Sequence, residues 1–96
     1  MYRNGIYHWG GHCANISNNN FRDVGMGVDV QRRAILVDGG GYKSSRVVIS
    51  NNVVANLGGI EVKIGTKGVE KILVANNVSP VTNSADTNCT VINNIN

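Results

Sequence analysis

One short motif recurs four times along the chain: an apolar residue, a variable residue, two asparagines and then an apolar residue. The copies begin at Ile16, Ile49, Val74 and Val91, and the first copy carries one extra asparagine. Two positions upstream of each copy lies another small or apolar residue, so apolar residues alternate with period two up to each asparagine pair. Such alternation predicts a β-strand with one buried face. Because asparagine tolerates left-handed φ, each pair predicts a tight bend between strands.

The composition favours an all-β protein and excludes several other classes. The 96 residues include 15 Asn, 14 Val and 9 Ile but only 3 Leu and 2 Glu, which disfavours a helical bundle. Hydrophobic residues at 42% with charged residues at 16% are atypical of disorder. No apolar run approaches the roughly 18–20 residues of a membrane span. The 2 Cys are too few for a disulfide scaffold, and a net charge of +3 is too small to indicate nucleic acid.

A second recurrent unit, in which a glycine precedes a β-branched residue, accompanies the asparagine motif. It begins at Gly5, Gly27 and Gly59, and a weaker fourth copy begins at Ser84. These spacings fit a coil of about 22 residues with one insertion of about ten residues. We therefore predict a single domain over residues 1–96, with three to four coils of short strands. Residues 31–46, which include three consecutive glycines, are predicted to leave the stack as an inserted loop or hairpin.

Stacked coils place equivalent residues in columns about 4.8 Å apart. We expect the asparagine pairs to stack at the bend, where amides in register can hydrogen-bond from coil to coil. The three expected inward columns are Ile16/Ile49/Val74/Val91, Ala14/Val47/Ile72/Cys89 and Phe21/Val53/Val78/Ile95. Cys13 and Cys89 then lie about 14 Å apart, too far for a disulfide.

With asparagine pairs at one repeated bend, the chain resembles the right-handed parallel β-helix proteins, the pectate-lyase-like solenoids, over essentially its whole length from Gly5. In that family the bend between the second and third strands of a rung often holds an asparagine ladder. The asparagine-rich rungs and the short last rung look most similar to those of bacteriophage tailspikes and pre-neck appendages. The resemblance implies a homotrimer, in a virion or at a cell surface, that binds and often cleaves host polysaccharide.

The ends of such a stack need protection, and the sequence shows no amphipathic capping helix. We therefore expect the chain to be the C-terminal part of a longer β-helix, or to have its ends covered by partner chains. A starting Met does not decide between these alternatives.

An outward column of acidic residues is the first candidate site. If the residue after each glycine points inward, then Tyr7, Asp29 and Glu61 point outward one above another, and Asp86 continues the line. Carboxylates on adjacent coils would lie about 5 Å apart, near the spacing of a retaining glycoside hydrolase, which makes Asp29 and Glu61 the candidate catalytic pair. Exposed strand positions are also commonly charged, and Lys63 could simply neutralise Glu61.

Aromatic and basic residues form a second candidate site, for polysaccharide binding. Trp9 and Lys63 fall in the next outward column, and Tyr7 beside Trp9 would make a platform for sugar rings. The inserted segment adds Arg32 and Arg33, whose guanidinium groups could pair with the carboxylates of an acidic polysaccharide. Equally, the apolar stretch that follows these arginines could be an extra strand packed on a neighbouring chain.

Two histidines next to Cys13 suggest a metal site, but their pattern argues against one. His8 and His12 match no established zinc spacing, and the chain has no second ligand cluster. We expect His8 to end the inward column that contains Val30 and Val62, and His12 to lie in a turn. No metal or cofactor is predicted.

Three functions remain open. The leading hypothesis is a β-helix module that binds polysaccharide and is largely structural in this part of the chain, with no nucleic-acid or membrane partner. The second is a polysaccharide-degrading enzyme, a glycoside hydrolase or lyase; a calcium-dependent lyase is disfavoured because clustered aspartates are lacking. The third is a purely structural assembly module.

Overall fold

The structure is a computed structural model that describes residues 5–22, 33–55, 58–85 and 88–95. Ten β-strands run through these residues. They are β1 (Ile6–His8), β2 (Gly11–Ser17), β3 (Asn20–Phe21), β4 (Ile35–Asp38), β5 (Ser44–Ser50), β6 (Val53–Val54), β7 (Ile60–Lys63), β8 (Val69–Ala75), β9 (Val81–Asn83) and β10 (Cys89–Ile92). None of the described segments forms a helix of the length and apolarity needed to span a bilayer.

All the strand pairings are parallel, and they build three sheets. The first sheet has the order β1-β4-β7-β9, the second has the order β2-β5-β8-β10, and β3 pairs with β6 in the third. Bridges from Val53 to Val78 and from Val78 to Ile95 extend the third sheet. Each successive passage of the chain therefore lies on the one before. We call these passages layers 1 to 4; they comprise the described residues of 5–22, 33–55, 58–79 and 80–95. The chain is an all-β protein of stacked parallel sheets, an arrangement compatible with a β-solenoid.

The predicted inward columns of the second sheet are confirmed. Strand pairing aligns Ile16, Ile49, Val74 and Val91 in one column and Ala14, Val47, Ile72 and Cys89 in the other. Their members in layers 2 and 3 are at most 2% exposed, whereas Val91 in layer 4 is 42% exposed. Apolar burial is therefore greatest in the middle of the stack.

The asparagine pairs form the expected bend between the second and third sheets. The first member of each pair has a φ angle of 57–61°, in the left-handed region. These residues are Asn18, Asn51, Asn76 and Asn93. Asparagine adopts this conformation at lower cost than most other residues with a side chain, which explains its repetition here.

The second members of the pairs stack as a hydrogen-bonded ladder. In the sequence Asn19, Asn52, Asn77 and Asn94, each Nδ2 donates to the Oδ1 of the next layer's asparagine, at 3.0, 2.9 and 2.8 Å. The same Oδ1 atoms accept the backbone N–H groups of the preceding layer at 3.0, 2.9 and 3.0 Å. Asn52 and Asn77 are 0% and 1% exposed, so the ladder satisfies polar groups that water cannot reach.

A second column of left-handed residues bends β2, β5 and β8 in their middle. Cys13, Arg46 and Lys71 have φ angles of 62°, 55° and 56°, and their side chains are exposed. The paired register skips these positions in β2 and β5. Because none of these residues is Asn or Gly, their sequence did not predict this bend.

The two cysteines lie in β2 and β10, the opposite edge strands of the second sheet, as expected. Both are free. Burial raises the pKa of the Cys89 thiol to about 11, whereas Cys13 is exposed.

The predicted alignment of Gly27 and its neighbours with layers 1 and 3 is wrong. β4 pairs with both β1 and β7, so Ile35 and Leu36 occupy the positions expected for Val28 and Asp29. Likewise Val37, not Val30, lies between His8 and Val62. Residues 23–32 lie outside the described residues.

The physical reason for this error is that β4 lacks the alternation of a half-buried strand. Ile35, Leu36 and Val37 are all at most 1% exposed, and Asp38 is 8% exposed. A strand buried on both faces is a continuous apolar run in the sequence. Such a run has no period-two alternation by which it could be matched to the strands of the other layers. The described part of 31–46 therefore does not leave the stack, because β4 and the start of β5 belong to layer 2.

The third predicted column was expected to point inward, and this prediction is wrong. One of its four members, Phe21, also belongs to a different column. Val53, Val78 and Ile95 do stack, but they point outward and are 43%, 44% and 66% exposed. Phe21 pairs with Val54, and both are buried. Asn20 is thus not an insertion: it takes the outward position beside Val53, and the inward residue comes one position later.

Layer 4 begins its first strand earlier than expected. Val81 and Thr82 pair with Ile60 and Glu61, so the outward position predicted for Asp86 is occupied by Thr82. Asp86 itself lies outside the described residues.

Replacement of a buried ladder residue should destabilise the whole stack. Asn52→Ala removes the acceptor of Asn19 and leaves the Ile16 carbonyl, which accepts from Asn52 Nδ2 at 3.0 Å, without that donor. We expect a loss of about 3 kcal/mol in the free energy of unfolding, measured by urea denaturation. The control is Asn15→Ala on the exposed face of β2, which should change stability by less than about 0.5 kcal/mol. Equal effects of the two substitutions would contradict the ladder's role.

Candidate functional site

Three exposed aromatic side chains lie where the first sheet passes into the second. Tyr7 is in β1, Trp9 follows that strand, and Tyr42 precedes β5; they are 41%, 54% and 72% exposed. They are three of the five aromatic residues in the chain. We call the surface formed by these three residues and Asp38 the aromatic corner. Because large aromatics are costly to leave in water, a group of them at one corner indicates a binding surface.

A run of glycines forms the floor on which Trp9 lies. A Cβ atom added to Gly41 would be 2.8 Å from Trp9 Cδ2, and one added to Gly40 would be 2.9 Å from Trp9 Nε1. The indole therefore packs directly on backbone that carries no side chains. This contact covers part of the ring and leaves about half of the residue's surface open to a ligand.

The neighbouring loop of layer 3 supports this floor from below. A Cβ on Gly65 would be 2.4 Å from the carbonyl carbon of Gly39, so the two loops pack backbone against backbone. Thr66 Oγ1 donates to the Gly40 carbonyl at 3.1 Å, and the Lys67 N–H donates to the Gly39 carbonyl at 2.8 Å. The floor is thus held by hydrogen bonds rather than by apolar packing.

Asp38 supplies the polar part of the corner. Its Oδ2 accepts a hydrogen bond from the Tyr7 hydroxyl at 3.2 Å, and its side chain is largely buried. Burial, then the negative charge of Asp38 and this hydrogen bond, raise the pKa of the Tyr7 hydroxyl above its ordinary value. Lys63, the strand partner of Asp38 in β7, brings a cation to the same edge.

The structure brings together the predicted binding residues Tyr7, Trp9 and Lys63 around Asp38. Sequence reasoning missed Tyr42 and Asp38. An aromatic residue directly after three glycines was the available signal for Tyr42, but those glycines were assigned to a loop outside the stack. No signal marked Asp38, since it follows the strand that the repeat failed to align.

One of the two predicted arginines, Arg33, is engaged by a residue of β7. Arg33 Nε donates to Glu61 Oε1 at 2.9 Å, at the start of the first sheet's strands. Glu61 stands in the same row as Tyr7 with Leu36 between them, so the backbones of Glu61 and Tyr7 are two layers, about 9.6 Å, apart. Arg32 lies outside the described residues.

The register expected for the carboxylate pair is not found. Leu36 and Thr82 flank Glu61 in the first sheet, and neither is acidic. Asp29 lies outside the described residues, so its pairing with Glu61 stays a prediction. The strand register does not support that pairing, because Leu36 and Thr82 occupy the positions beside Glu61. In the described ranges no three potential ligand side chains group around a metal position, and no enclosed pocket is present.

His8 occupies the first-layer end of the inward column, as predicted. Its strand partner is Val37, and its Nε2 is buried without a hydrogen-bond partner. His12 is exposed, and its Nδ1 is hydrogen-bonded to Ser45 Oγ. The two imidazoles therefore have different environments and do not form a shared site with Cys13.

Comparisons with known proteins give no assignment. No protein-family model, no curated protein and no solved structure matches the chain. The geometry of the described residues is therefore what indicates a function.

Two glycine substitutions separate crowding from backbone strain at this corner. Gly65 and Gly68 both have positive φ, at 65° and 90°, but only Gly65 has backbone atoms in contact with an added Cβ. Gly68→Ala should cost about 1 kcal/mol of unfolding free energy, from backbone strain alone. Gly65→Ala should cost clearly more, and should also shift the fluorescence of Trp9, the single tryptophan. Equal costs would mean that the loops do not pack as described.

Tyr7 should ionise at a higher pH than an ordinary tyrosine. Because its folded pKa exceeds the unfolded value of 10.0, its contribution to stability is present below that pH and is lost as pH rises through the folded value. Ultraviolet titration of a Tyr2→Phe/Tyr42→Phe background, in which Tyr7 is the remaining tyrosine, measures this midpoint. Asp38→Asn should lower it only in part, since burial is the larger cause. A midpoint unchanged by Asp38→Asn would contradict the contact.

Proposed function

We propose that the protein is a right-handed parallel β-helix module that binds polysaccharide at the aromatic corner. The observation that carries the proposal is the grouping of Tyr7, Trp9 and Tyr42, all exposed, with the Trp9 indole lying on glycine backbone. In this proposal the module belongs to a tailspike-like or other surface protein, and this part of the chain binds the glycan without cleaving it.

The β-helix part of the proposal is supported by the order of the strands. The chain visits the first, second and third sheets in the same order in layers 1 and 2, and every pairing is parallel. Parallel strands joined by crossover connections are right-handed in nearly all proteins. An asparagine ladder through all four layers adds a repeated bend at a fixed position.

The carbohydrate part is supported by the chemistry of the corner. A sugar ring presents an apolar C–H face and polar hydroxyl edges. The Trp9 indole, which lies on backbone, can pack against the apolar face of the sugar. The Asp38 carboxylate and the Lys63 ammonium group can hydrogen-bond to its hydroxyl groups. Open aromatic surface with a few fixed polar groups suits a chain-like ligand that lies along the stack rather than one that is enclosed.

The enzymatic alternative has less support in the described residues. Glu61 is engaged by Arg33, and its strand neighbours in the first sheet, Leu36 and Thr82, are not acidic. Hydrolysis with Asp29 and Glu61 would need a geometry other than the predicted column.

Binding to immobilised polysaccharides tests the proposal. The wild-type chain is applied to an array of neutral and acidic bacterial surface polysaccharides, and a binder is then titrated while the fluorescence of Trp9 is followed. We expect Tyr42→Ala to weaken the binding at least tenfold, because the exposed ring is lost without disturbing the core. Trp9→Ala should weaken it as much, measured on the array.

The matched control is Leu73→Ala, which removes an apolar side chain of 36% exposure from the outer face of β8. It should leave the affinity unchanged. Binding that survives Trp9→Ala and Tyr42→Ala together, or a wild-type chain that binds no polysaccharide on the array, would contradict the proposed function.

A further inference from the structure

The asparagine ladder has a direction, and its two ends are chemically different. At each step the asparagine of one layer donates from Nδ2, and from its backbone N–H, to the Oδ1 of the next layer. Asn19 in layer 1 therefore has an Oδ1 with no donor among the described residues. Asn94 in layer 4 donates to the Val74 carbonyl at 3.0 Å, and its other Nδ2 hydrogen and its backbone N–H have no asparagine below them.

The two ends of the ladder are complementary, because among the described residues one end has free donors and the other has a free acceptor. The last layer offers two donors where the first layer offers one acceptor. If layer 1 of another molecule lay below layer 4, Asn94 would donate to Asn19 of that molecule just as Asn77 donates to Asn94. The unfilled hydrogen bonds of the ladder thus fit a second copy of the same chain.

The charged residues are placed so that they do not oppose this contact. Among the described residues, layer 4 contains no Lys, Arg, Asp or Glu, and layer 1 contains only Arg22. The other described charges all lie in layers 2 and 3. They are Arg33, Asp38, Lys43, Arg46, Glu61, Lys63, Lys67, Glu70 and Lys71. Edge strands of monomeric proteins are usually protected by charges or prolines, and the described part of the end layers has only Arg22, after β3, and Pro80, before β9, of these types.

The inward columns also continue across such a junction. Continuation of the register places Val91, which is 42% exposed, over Ile16 of the next copy, and Cys89 over Ala14. In the first sheet it places Asn83 next to His8. An apolar face and a polar ladder therefore coincide in one alignment.

We propose that copies of this chain stack head to tail, with layer 4 of one copy pairing with layer 1 of the next in a continuous parallel register. The two faces are different, so the contact is heterologous and produces an open filament rather than a closed dimer. The aromatic corner lies at the side of the stack, so it would be repeated along the filament and remain available to ligand.

Cross-linking between the outer faces of the edge strands tests this register directly. Asn15, Val48, Leu73 and Thr90 form one outward row in the second sheet. Within one molecule Asn15 and Thr90 are three layers apart, about 14 Å, whereas across the proposed junction they are neighbours about 4.8 Å apart. A disulfide is possible only at the shorter distance.

The variant Asn15→Cys/Thr90→Cys is made in a Cys13→Ser background and oxidised as the native protein. We expect a reducible ladder of dimers, trimers and longer species on a non-reducing denaturing gel. The matched control, Asn15→Cys/Leu73→Cys, has its cysteines two layers apart both within a molecule and across the junction, and should remain monomeric. Absence of the ladder, or an equal ladder in the control, would overturn the proposal.

A charge placed at the junction provides an independent measurement. Val91→Lys puts an ammonium group into the inward column at the end face, whereas Thr90→Lys puts it on the outer face of the same strand. In sedimentation velocity the wild-type chain and Thr90→Lys should associate increasingly with concentration, and Val91→Lys should need at least tenfold more protein for the same association. Circular dichroism checks that all three fold. A folded wild-type chain that stays monomeric, or forms one closed trimer without cross-linking, would overturn head-to-tail stacking.

Discussion

The hydrogen bond between asparagine side chains of successive layers is the interaction on which the stack depends. A bend between parallel sheets leaves backbone N–H and carbonyl groups inside the protein, where each unpaired group would cost on the order of 1–3 kcal/mol. One carboxamide has both a donor and an acceptor, so it can serve the layer above and the layer below together. Asn52 and Asn77 do this while almost wholly buried. The ladder repeats with the spacing of the paired strands, so it stays in register with the apolar columns beside it.

The features predicted correctly from the sequence are those encoded by local pattern. The Asn pairs repeat with alternating residues before them, so the bends and the two columns of the second sheet follow directly. The first sheet was harder to align because β4 is buried on both faces. Its sequence therefore lacks the alternation that distinguishes inward-pointing from outward-pointing side chains. Leu36 is 1% exposed on the side where Tyr7 is 41% exposed, and only strand pairing reveals that they are neighbours. Long-range burial of this kind has no local signature.

The candidate site was predictable to the extent that it lies on aligned strands. Tyr7 and Trp9 belong to the first glycine unit, and their exposure follows from its alternation. Tyr42 and Asp38 come from the layer whose alignment failed, so their approach to Trp9 could not be foreseen. The glycines at 39–41 have a packing role that composition does not reveal: they allow an indole and a neighbouring loop to approach the backbone from two sides. The site is thus a product of tertiary packing more than of a motif.

The layers differ greatly in length, although their ladder residues stack evenly. Successive ladder asparagines are separated by 33, 25 and 17 residues. The stretch between the two bend columns stays constant, from Cys13 to Asn18, from Arg46 to Asn51 and from Lys71 to Asn76. Differences in length are therefore absorbed elsewhere, in part by the turns at the aromatic corner. Evolution can lengthen, shorten or replace those turns without changing the pitch of the scaffold, so the surface that meets a ligand can diversify independently of the part that holds the protein together.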